Sequence, residues 1–423
     1  MTNKPRWPEM LALNAYWFGL SYLWNGWGPV IQPLLVASLV GESVKGSATG
    51  LLTAIGMIVA IVVQPVAGAI SDRSTNRWGR RRPFMVGGTL ADMIFLGAIL
   101  AIALGPQRAV YFWLLVVVYF GLQVASNVSH GPYQGLIPDR VPPERWGTAS
   151  GVKQLAEMLG VIVTSLAMKW FLDQHQMPLA IVSMMLFLLL TLALTLTVRE
   201  RPLPDAPSQE PLFRAVLGTF LIDLRRYAGF GWLVLSRLFV LVAMNLVRNY
   251  ILFYIQFILK MSPEEAGSAA SSLMAVLGIA ILFIVYPAGV LSDRIGRRPL
   301  LAFSGLVGAV GSLLLLWARS YTHLLVFGGV LGLSIGVFLS ANWALLTDLV
   351  PKEEAGRYLG ITNLATAGAG VVAGVGGVVL DLFNAQAPGR GFVALYLLAG
   401  ACYLVGTALL LKVRKVRRAP ALE

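Results

Sequence analysis

Gly68-Ala-Ile-Ser-Asp72-Arg73-Ser-Thr-Asn-Arg77-Trp-Gly79-Arg80-Arg81-Arg82-Pro83 returns, in shorter form, as Gly289-Val-Leu-Ser-Asp293-Arg294-Ile-Gly296-Arg297-Arg298-Pro299. Each copy has a small-residue helix end, an Asp-Arg pair and a clipped run of arginines, and each joins two long apolar segments. The two aspartates lie 221 residues apart in a chain of 423. A second phrase repeats at matching places. Leu136-Ile-Pro-Asp139-Arg-Val-Pro-Pro-Glu144-Arg145-Trp-Gly147 follows the fourth apolar segment, and Leu346-Thr-Asp348-Leu-Val-Pro-Lys-Glu353-Glu-Ala-Gly356-Arg357 follows the tenth. Two independent phrases at equivalent positions imply a duplicated unit.

The composition decides what kind of unit it is. Only 13% of residues are charged against 57% hydrophobic, and mean hydropathy is +0.74. A soluble domain of this length needs more polar surface. Twelve apolar stretches are long enough to cross a bilayer as helices: 10–38, 47–71, 83–104, 108–136, 147–173, 177–199, 229–259, 264–292, 298–317, 322–349, 356–384 and 391–412. The expected fold is therefore all-α and integral to a membrane, with two six-helix bundles related by pseudo-twofold symmetry. Residues 1–199 form the first bundle and 229–423 the second. Between them, 200–228 carry Pro202, Pro204, Pro207 and Pro211, then Leu212, Phe213, Val216, Leu217, Phe220 and Leu221 at helical spacing. A cytoplasmic linker with a short amphipathic helix is expected there.

Charge sets the orientation. With the N-terminus in the cytoplasm, 24 of the 33 Lys and Arg fall on the cytoplasmic side, and the external connections hold only Lys45, Arg108, Lys260, Arg319 and Arg390. This is the positive-inside asymmetry. It predicts a multi-pass protein of the cell membrane (inner or plasma) with both termini cytoplasmic. The net charge of +13 then reflects attraction to lipid headgroups rather than to nucleic acid. Lys4 and Arg6 precede a segment too long for a cleavable signal. The lone Cys402 excludes an internal disulfide framework and is expected in the core.

The chain has no Gly-Lys-Ser/Thr phosphate loop and no His/Cys metal spacing, so neither an enzyme nor an ATP-driven pump is expected. A small-molecule substrate, a monomer in the lipid bilayer, no cofactor and no metal are expected instead, with a proton or other cation as coupling ion.

Candidate site residues follow from polar groups on apolar helices, which normally face a partner helix or a water-filled cavity. In the fourth segment Gln123, Asn127, His130 and Gln134 recur at spacings of four, three and four, which places them on one face. His130, one of three histidines, has an ordinary pKa near 6.5 that suits a proton carrier; an interhelical hydrogen bond is the competing reading. Lys153 and Glu157 stand one turn apart in the fifth segment, as a relay or a structural pair. In the seventh, Arg237, Asn245, Arg248 and Asn249 are grouped, and a buried Arg248 needs an anion: Glu157, Asp92 or the substrate. The first segment interleaves Trp17, Trp24 and Trp27 with Asn14, Ser21, Asn25 and Gln32. Asn25 with Trp24 or Trp17 suits a sugar, whose C–H face stacks while its hydroxyls hydrogen-bond. Asn342 and Asn363 are further cavity candidates. Asp72, Arg73, Arg77, Gly79, Arg80, Arg81, Asp139, Arg145, Asp293, Arg294, Arg297, Arg298, Asp348 and Arg357 are expected to form a cytoplasmic gate of charge-assisted hydrogen bonds, with topology alone as the alternative.

Taken together, these phrases resemble the major facilitator superfamily across essentially the whole chain. More narrowly, Val63-Gln64-Pro65-Val66-Ala67-Gly68, then Ser71-Asp72-Arg73 and Arg77-Trp78-Gly79-Arg80-Arg81-Arg82-Pro83-Phe84, resemble the proton-coupled sucrose transporters, close to the glycoside–pentoside–hexuronide group. Asn127, Gly131-Pro132 and Asp139 follow in that subgroup's order. The resemblance implies a secondary transporter working by alternating access, with proton-coupled uptake of a sugar or glycoside. The alternatives are an exporter or flippase-like carrier of amphiphilic or anionic compounds, an uncoupled facilitator, or a channel. Two departures stand out. Gln123 occupies the place of the sucrose transporters' fourth-helix Asp, and Gln134 that of an Arg. The acidic residues of melibiose-type members are missing from 51–70.

Overall fold

In the computed structural model, residues 6–142, 145–198, 200, 228–349 and 355–413 are described; the expected linker helix at 212–221 lies outside them. The described backbone is helical almost throughout. The first span runs as α1 (Trp7–Gly26), a π-helical turn (Trp27–Ile31) and α2 (Gln32–Val40). It is followed by α3 (Lys45–Asp72), α4 (Arg82–Leu104), α5 (Val110–Gln134), the short α6 (Leu136–Arg140), α7 (Trp146–Asp173) and α8 (Met177–Leu196). The second half contains α9 (Ala228–Leu259), α10 (Pro263–Ile295), α11 (Arg297–Leu314), α12 (Tyr321–Leu349), α13 (Ala355–Gln386) and α14 (Arg390–Leu410).

Eleven of these helices are long and apolar enough to cross a membrane. The interrupted Trp7–Val40 span makes a twelfth. Apolar side chains such as Trp113, Leu104, Phe283, Tyr286 and Leu397 face outward, as a lipid-facing surface requires. The π-helical turn was not expected from the sequence. It falls where Gly26, Gly28 and Pro29 cluster, and Pro29 has no N–H to offer the helical ladder. Helix ends follow local chemistry. Ser262 caps α10, its hydroxyl accepting from Glu265 N at 3.3 Å while Ser262 N donates to Glu265 Oε2 at 2.9 Å. Gly296, with φ of 94°, turns the chain between α10 and α11 in a conformation a side chain would strain.

The packing repeats between halves. In the first, α1 lies against α7 and α8, while α5 lies against α3 and α4. In the second, α9 lies against α13 and α14, while α12 lies against α10 and α11. The halves then cross twice, α3 on α13 and α7 on α10. These crossings are closest at the end remote from the arginine-rich loops. Gly46 and Gly50 of α3 meet Gly374 and Gly377 of α13 so closely that a Cβ on Gly50 would overlap the Gly374 carbonyl, and one on Gly377 the Gly46 carbonyl. Asp381 of α13 caps the first turn of α3, accepting from Gly46 N at 3.1 Å and Ser47 N at 2.6 Å. Lys45 Nζ donates to Gln256 Oε1 of α9 at 3.2 Å. At the other crossing, Ser268 of α10 hydrogen-bonds Asp173 of α7.

Replacing the Asp381 carboxylate should loosen this closed end. Asp381→Ala is expected to cost about 1 kcal/mol, a roughly fivefold shift in population toward separated ends. Spin labels at Val44 and Gln386 would read it as a second, longer distance; an unchanged distance distribution would rule the cap out as a closing contact.

Candidate functional site

The arginine-rich cluster comes together, and it does so within the first half. Arg80 and Arg81 bracket Asp139: Arg80 Nε and Arg81 Nε each donate to Asp139 Oδ2 at 3.0 Å, and Arg81 also pairs with Asp72. Such forked, charge-assisted bonds are the strong kind. Arg81 Nη1 donates to Ser71 Oγ at 2.7 Å. Glu200, just past α8, accepts from Arg81 N at 3.0 Å and Arg82 N at 3.2 Å. It crowds Gly79, whose φ is 112°. The α3–α4 connection is thereby clamped to α6 and to the end of α8.

Arg73 is half-buried and Arg77 exposed. Arg145 is half-buried at the start of α7. In the second copy Arg297 pairs with Asp293 at 3.8 Å and donates to the Ala344 carbonyl, Arg294 is exposed, and Arg298 is half-buried. The side chains of Asp348 and Arg357 lie outside the described residues. The bonds of Arg80, Arg81 and Asp139, and those named for Arg297, stay within their own half, whereas the closest crossings of the two halves lie at the opposite end.

The polar face of α5 divides into two parts. Gln123 and Asn127 are buried: Gln123 Nε2 donates to Tyr119 Oη at 2.6 Å, and Asn127 Nδ2 to the Gln123 carbonyl at 2.8 Å. Gln123 presses on Gly56 of α3, so it closes an interhelical contact as a neutral amide. His130 and Gln134 lie nearer the arginine-rich end. His130 Nδ1 is 3.0 Å from Gln64 Nε2 of α3, and its Nε2 is 3.3 Å from Gln134 Nε2. A neutral imidazole has one N–H and one acceptor nitrogen, so one amide presents its oxygen. Gln64 was not singled out as a site residue from sequence, although the Gln64-Pro65 pair sits inside the quoted motif.

Around His130 the expected groups of α1, α5 and α7 converge. The Trp17 ring lies edge-on to His130, centroids 5.1 Å apart, and Lys153 Nζ sits 4.0 Å over the Trp17 ring. Lys153 Nζ pairs with Glu157 Oε1 at 3.2 Å. Ser21 Oγ donates to the Glu157 carbonyl at 2.8 Å, and Asn25 Nδ2 donates to Ser21 O at 2.8 Å and Ser21 Oγ at 3.1 Å. That leaves Asn25 Oδ1 to accept from Arg248 Nη2 of α9 at 2.7 Å. The chain of contacts thus crosses from one half to the other near the middle of the spans. Trp24 is half-buried beside Asn25 on α1.

The remaining candidates belong to the second half. Arg237 donates to Asn342 Oδ1 of α12 and, at 3.2 Å, to Thr366 Oγ1 of α13. Asn245 Nδ2 donates to its own helix, to Leu241 O at 2.8 Å. Asn249 Nδ2 is buried with no partner among the described residues. Asn363 has its side chain outside the described residues. No group of three or more metal-ligating side chains occurs among the residues described.

Comparison with known proteins bears on the family and the fold. The chain is 30% identical over 118 residues to the minor myo-inositol transporter IolF of Bacillus subtilis, covering 27% of this chain and 26% of that protein. It is 32% identical over 112 residues to sucrose transport protein SUT1 of Oryza sativa subsp. japonica, covering 23% and 21%. These matches thus span about a quarter of each relative's length. An uncharacterized MFS-type transporter of Methanocaldococcus jannaschii is 22% identical over 375 residues, 86% of this chain and 88% of that one. Among solved structures, a point mutant of nucleoside transporter NupG superposes with a TM-score of 0.76 at 14% identity, covering 96% of this chain and 100% of that one. A bacterial homolog to human lysosomal transporter Spinster gives 0.69 at 16%, covering 98% of both; these likenesses concern the fold. The profile of the MFS/sugar transport protein family matches residues 35–411, and the chain belongs to that family of membrane transporters.

Proposed function

We propose that this protein is a secondary active transporter that takes up a sugar or glycoside together with a proton, its halves rocking about the seam where Trp17, Asn25, Glu157 and Arg248 meet. The Lys153–Glu157 pair carries this reading. With Glu157 ionised, the ammonium is held 3.2 Å from the carboxylate and 4.0 Å over the Trp17 ring. A proton on Glu157 removes that attraction and frees both the ammonium and the indole face. The same indole is the surface on which the C–H face of a pyranose would stack. Proton and sugar would thus act on one cluster, which is what coupling requires. The myo-inositol and sucrose transporters among the relatives support a polyol or sugar cargo.

The arginine-rich end is read as cytoplasmic from the excess of Lys and Arg there, in the cell membrane with both termini inside. The tight crossing of α3 on α13 then closes the external side. An uncoupled facilitator is the second reading, favoured by Gln123, which serves as a neutral amide where the sucrose transporters have a carboxylate.

Proteoliposomes with an inward proton gradient test the first reading against the second. Accumulation of a disaccharide or glycoside, abolished by a protonophore, is expected; equilibration insensitive to the gradient would sink proton coupling. Glu157→Gln is expected to reduce accumulation to equilibration while exchange of labelled sugar continues. His130→Asn should keep accumulation, because that ring is already hydrogen-bonded between two amides. The arginine clamp has its own signature. Arg81→Gln leaves Asp72 and Asp139 short of a donor and should cost about 1–3 kcal/mol. A lowered thermal midpoint in detergent, partly restored by Arg81→Lys, would show it.

A further inference from the structure

α9 carries two guanidinium groups that the transporter reading leaves without a counter-charge. Arg237 and Arg248 are eleven residues apart, three helical turns, and so share one face with about 16 Å between their levels. Arg248 donates to Asn25 Oδ1 at 2.7 Å. Arg237 donates to Asn342 Oδ1 and to Thr366 Oγ1 at 3.2 Å, and its Nε has no partner among the described residues. Every one of these acceptors is neutral. The ion pairs formed among the described residues include neither arginine.

The carboxylates at mid-span do not fill the gap. Glu157 is taken by Lys153 at 3.2 Å. Asp92 is fully buried in α4, and neither of its oxygens has a hydrogen-bond partner among the described residues. Arg237 and Arg248 are thus left without a carboxylate partner among the described residues. A charge held inside a membrane bundle without an opposite charge is costly and marks a functional position. Arg248 also makes a contact between the halves near mid-span. Its guanidinium is a planar five-donor fork that matches a planar oxyanion, and only one of its bonds, to a neutral amide, crosses to Asn25.

We propose that the transported substrate bears an oxyanion, a carboxylate or a phosphate, and that Arg248 receives it at the seam, with Arg237 adding to the positive field. The cargo class is then an acidic sugar, such as a uronic acid or glycuronide or a sugar phosphate, rather than a neutral one. Asn25, fixed by its own bonds to Ser21, stands in for the anion while the site is empty. This rests on the seam being the substrate site and refines the cargo proposed for it.

The test uses matched pairs that differ only in charge: phenyl β-glucoside with phenyl β-glucuronide, galactose with galacturonate, and glucose with glucose 6-phosphate. Binding to the purified full chain and uptake into proteoliposomes are both measured. At least one acidic member is expected to bind roughly tenfold or more tightly than its neutral partner. Comparing the carboxylates with the phosphate identifies the preferred anion. Arg248→Gln should erase the preference, and Arg248→Lys should keep part of it, since a point charge lacks the fork. Equal or better handling of the neutral member of every pair by the unaltered chain overturns the oxyanion proposal while leaving sugar transport standing. A preference that survives Arg248→Gln removes Arg248 as its receiver. No binding or uptake of any member overturns both proposals together.

Discussion

The approach of α3 to α13 is the constraint on which the rest depends. Two helices can touch backbone to backbone only where neither presents a side chain, and Gly46, Gly50, Gly374 and Gly377 supply that surface. The Asp381 carboxylate closes it by accepting from two N–H groups at the start of α3, which have no partner one turn back in their own helix. With α7 on α10 as its counterpart, this crossing sets the distance between the halves at one end. The same closure holds α9 where Arg248 can reach Asn25 on α1. On the proposed rocking of the halves, separating the glycine faces would take from Arg248 its acceptor as well.

The arginine clamp has the complementary role. Its bonds run among α3, α4, α6 and the residues after α8, all in the first half. These bonds tie four elements of the first half to one another. The sequence phrase suggested a cytoplasmic gate, since Asp and Arg at helix ends can form charge-assisted hydrogen bonds there. Among the described bonds, Arg80, Arg81, Asp72 and Asp139 brace the first half internally. A motif fixes which charges will meet and not which side of a boundary the partners stand on.

What was legible in the sequence divides along the same line. The spans were readable because a bilayer demands about twenty apolar residues for each, and the structure places helices close to those stretches. The Lys153–Glu157 pair was readable because it is local, one turn apart on one helix. Contacts over long separations were not. Glu200 opens the expected linker, and only the fold shows that it anchors Arg81 and Arg82. Asp381 lies within the expected span 356–384, and only the fold shows that it caps a helix 334 residues away. Gln64 sat in plain view within a motif, but only the packing of α3 on α5 shows that it meets His130. The π-helical turn escaped because glycine and proline are common in membrane helices, so Gly26, Gly28 and Pro29 gave no distinct signal.

Charge ties the seam's two proposed tasks together. An oxyanion received by Arg248 and a proton received by Glu157 cross the membrane as a neutral sum when one of each moves. The membrane potential supplies about 2.3 kcal/mol per elementary charge per 100 mV, and a neutral sum draws on none of it. Uptake of a monoanionic sugar would then follow the pH difference alone and persist when valinomycin and potassium clamp the potential at zero. A neutral sugar carried with one proton would instead slow under that clamp. Arg237 and Arg248 remain with the protein throughout, so they set which charges enter the site without themselves being moved. The electrical behaviour of transport thus reports directly on whether the unpaired guanidiniums of α9 are filled by the cargo.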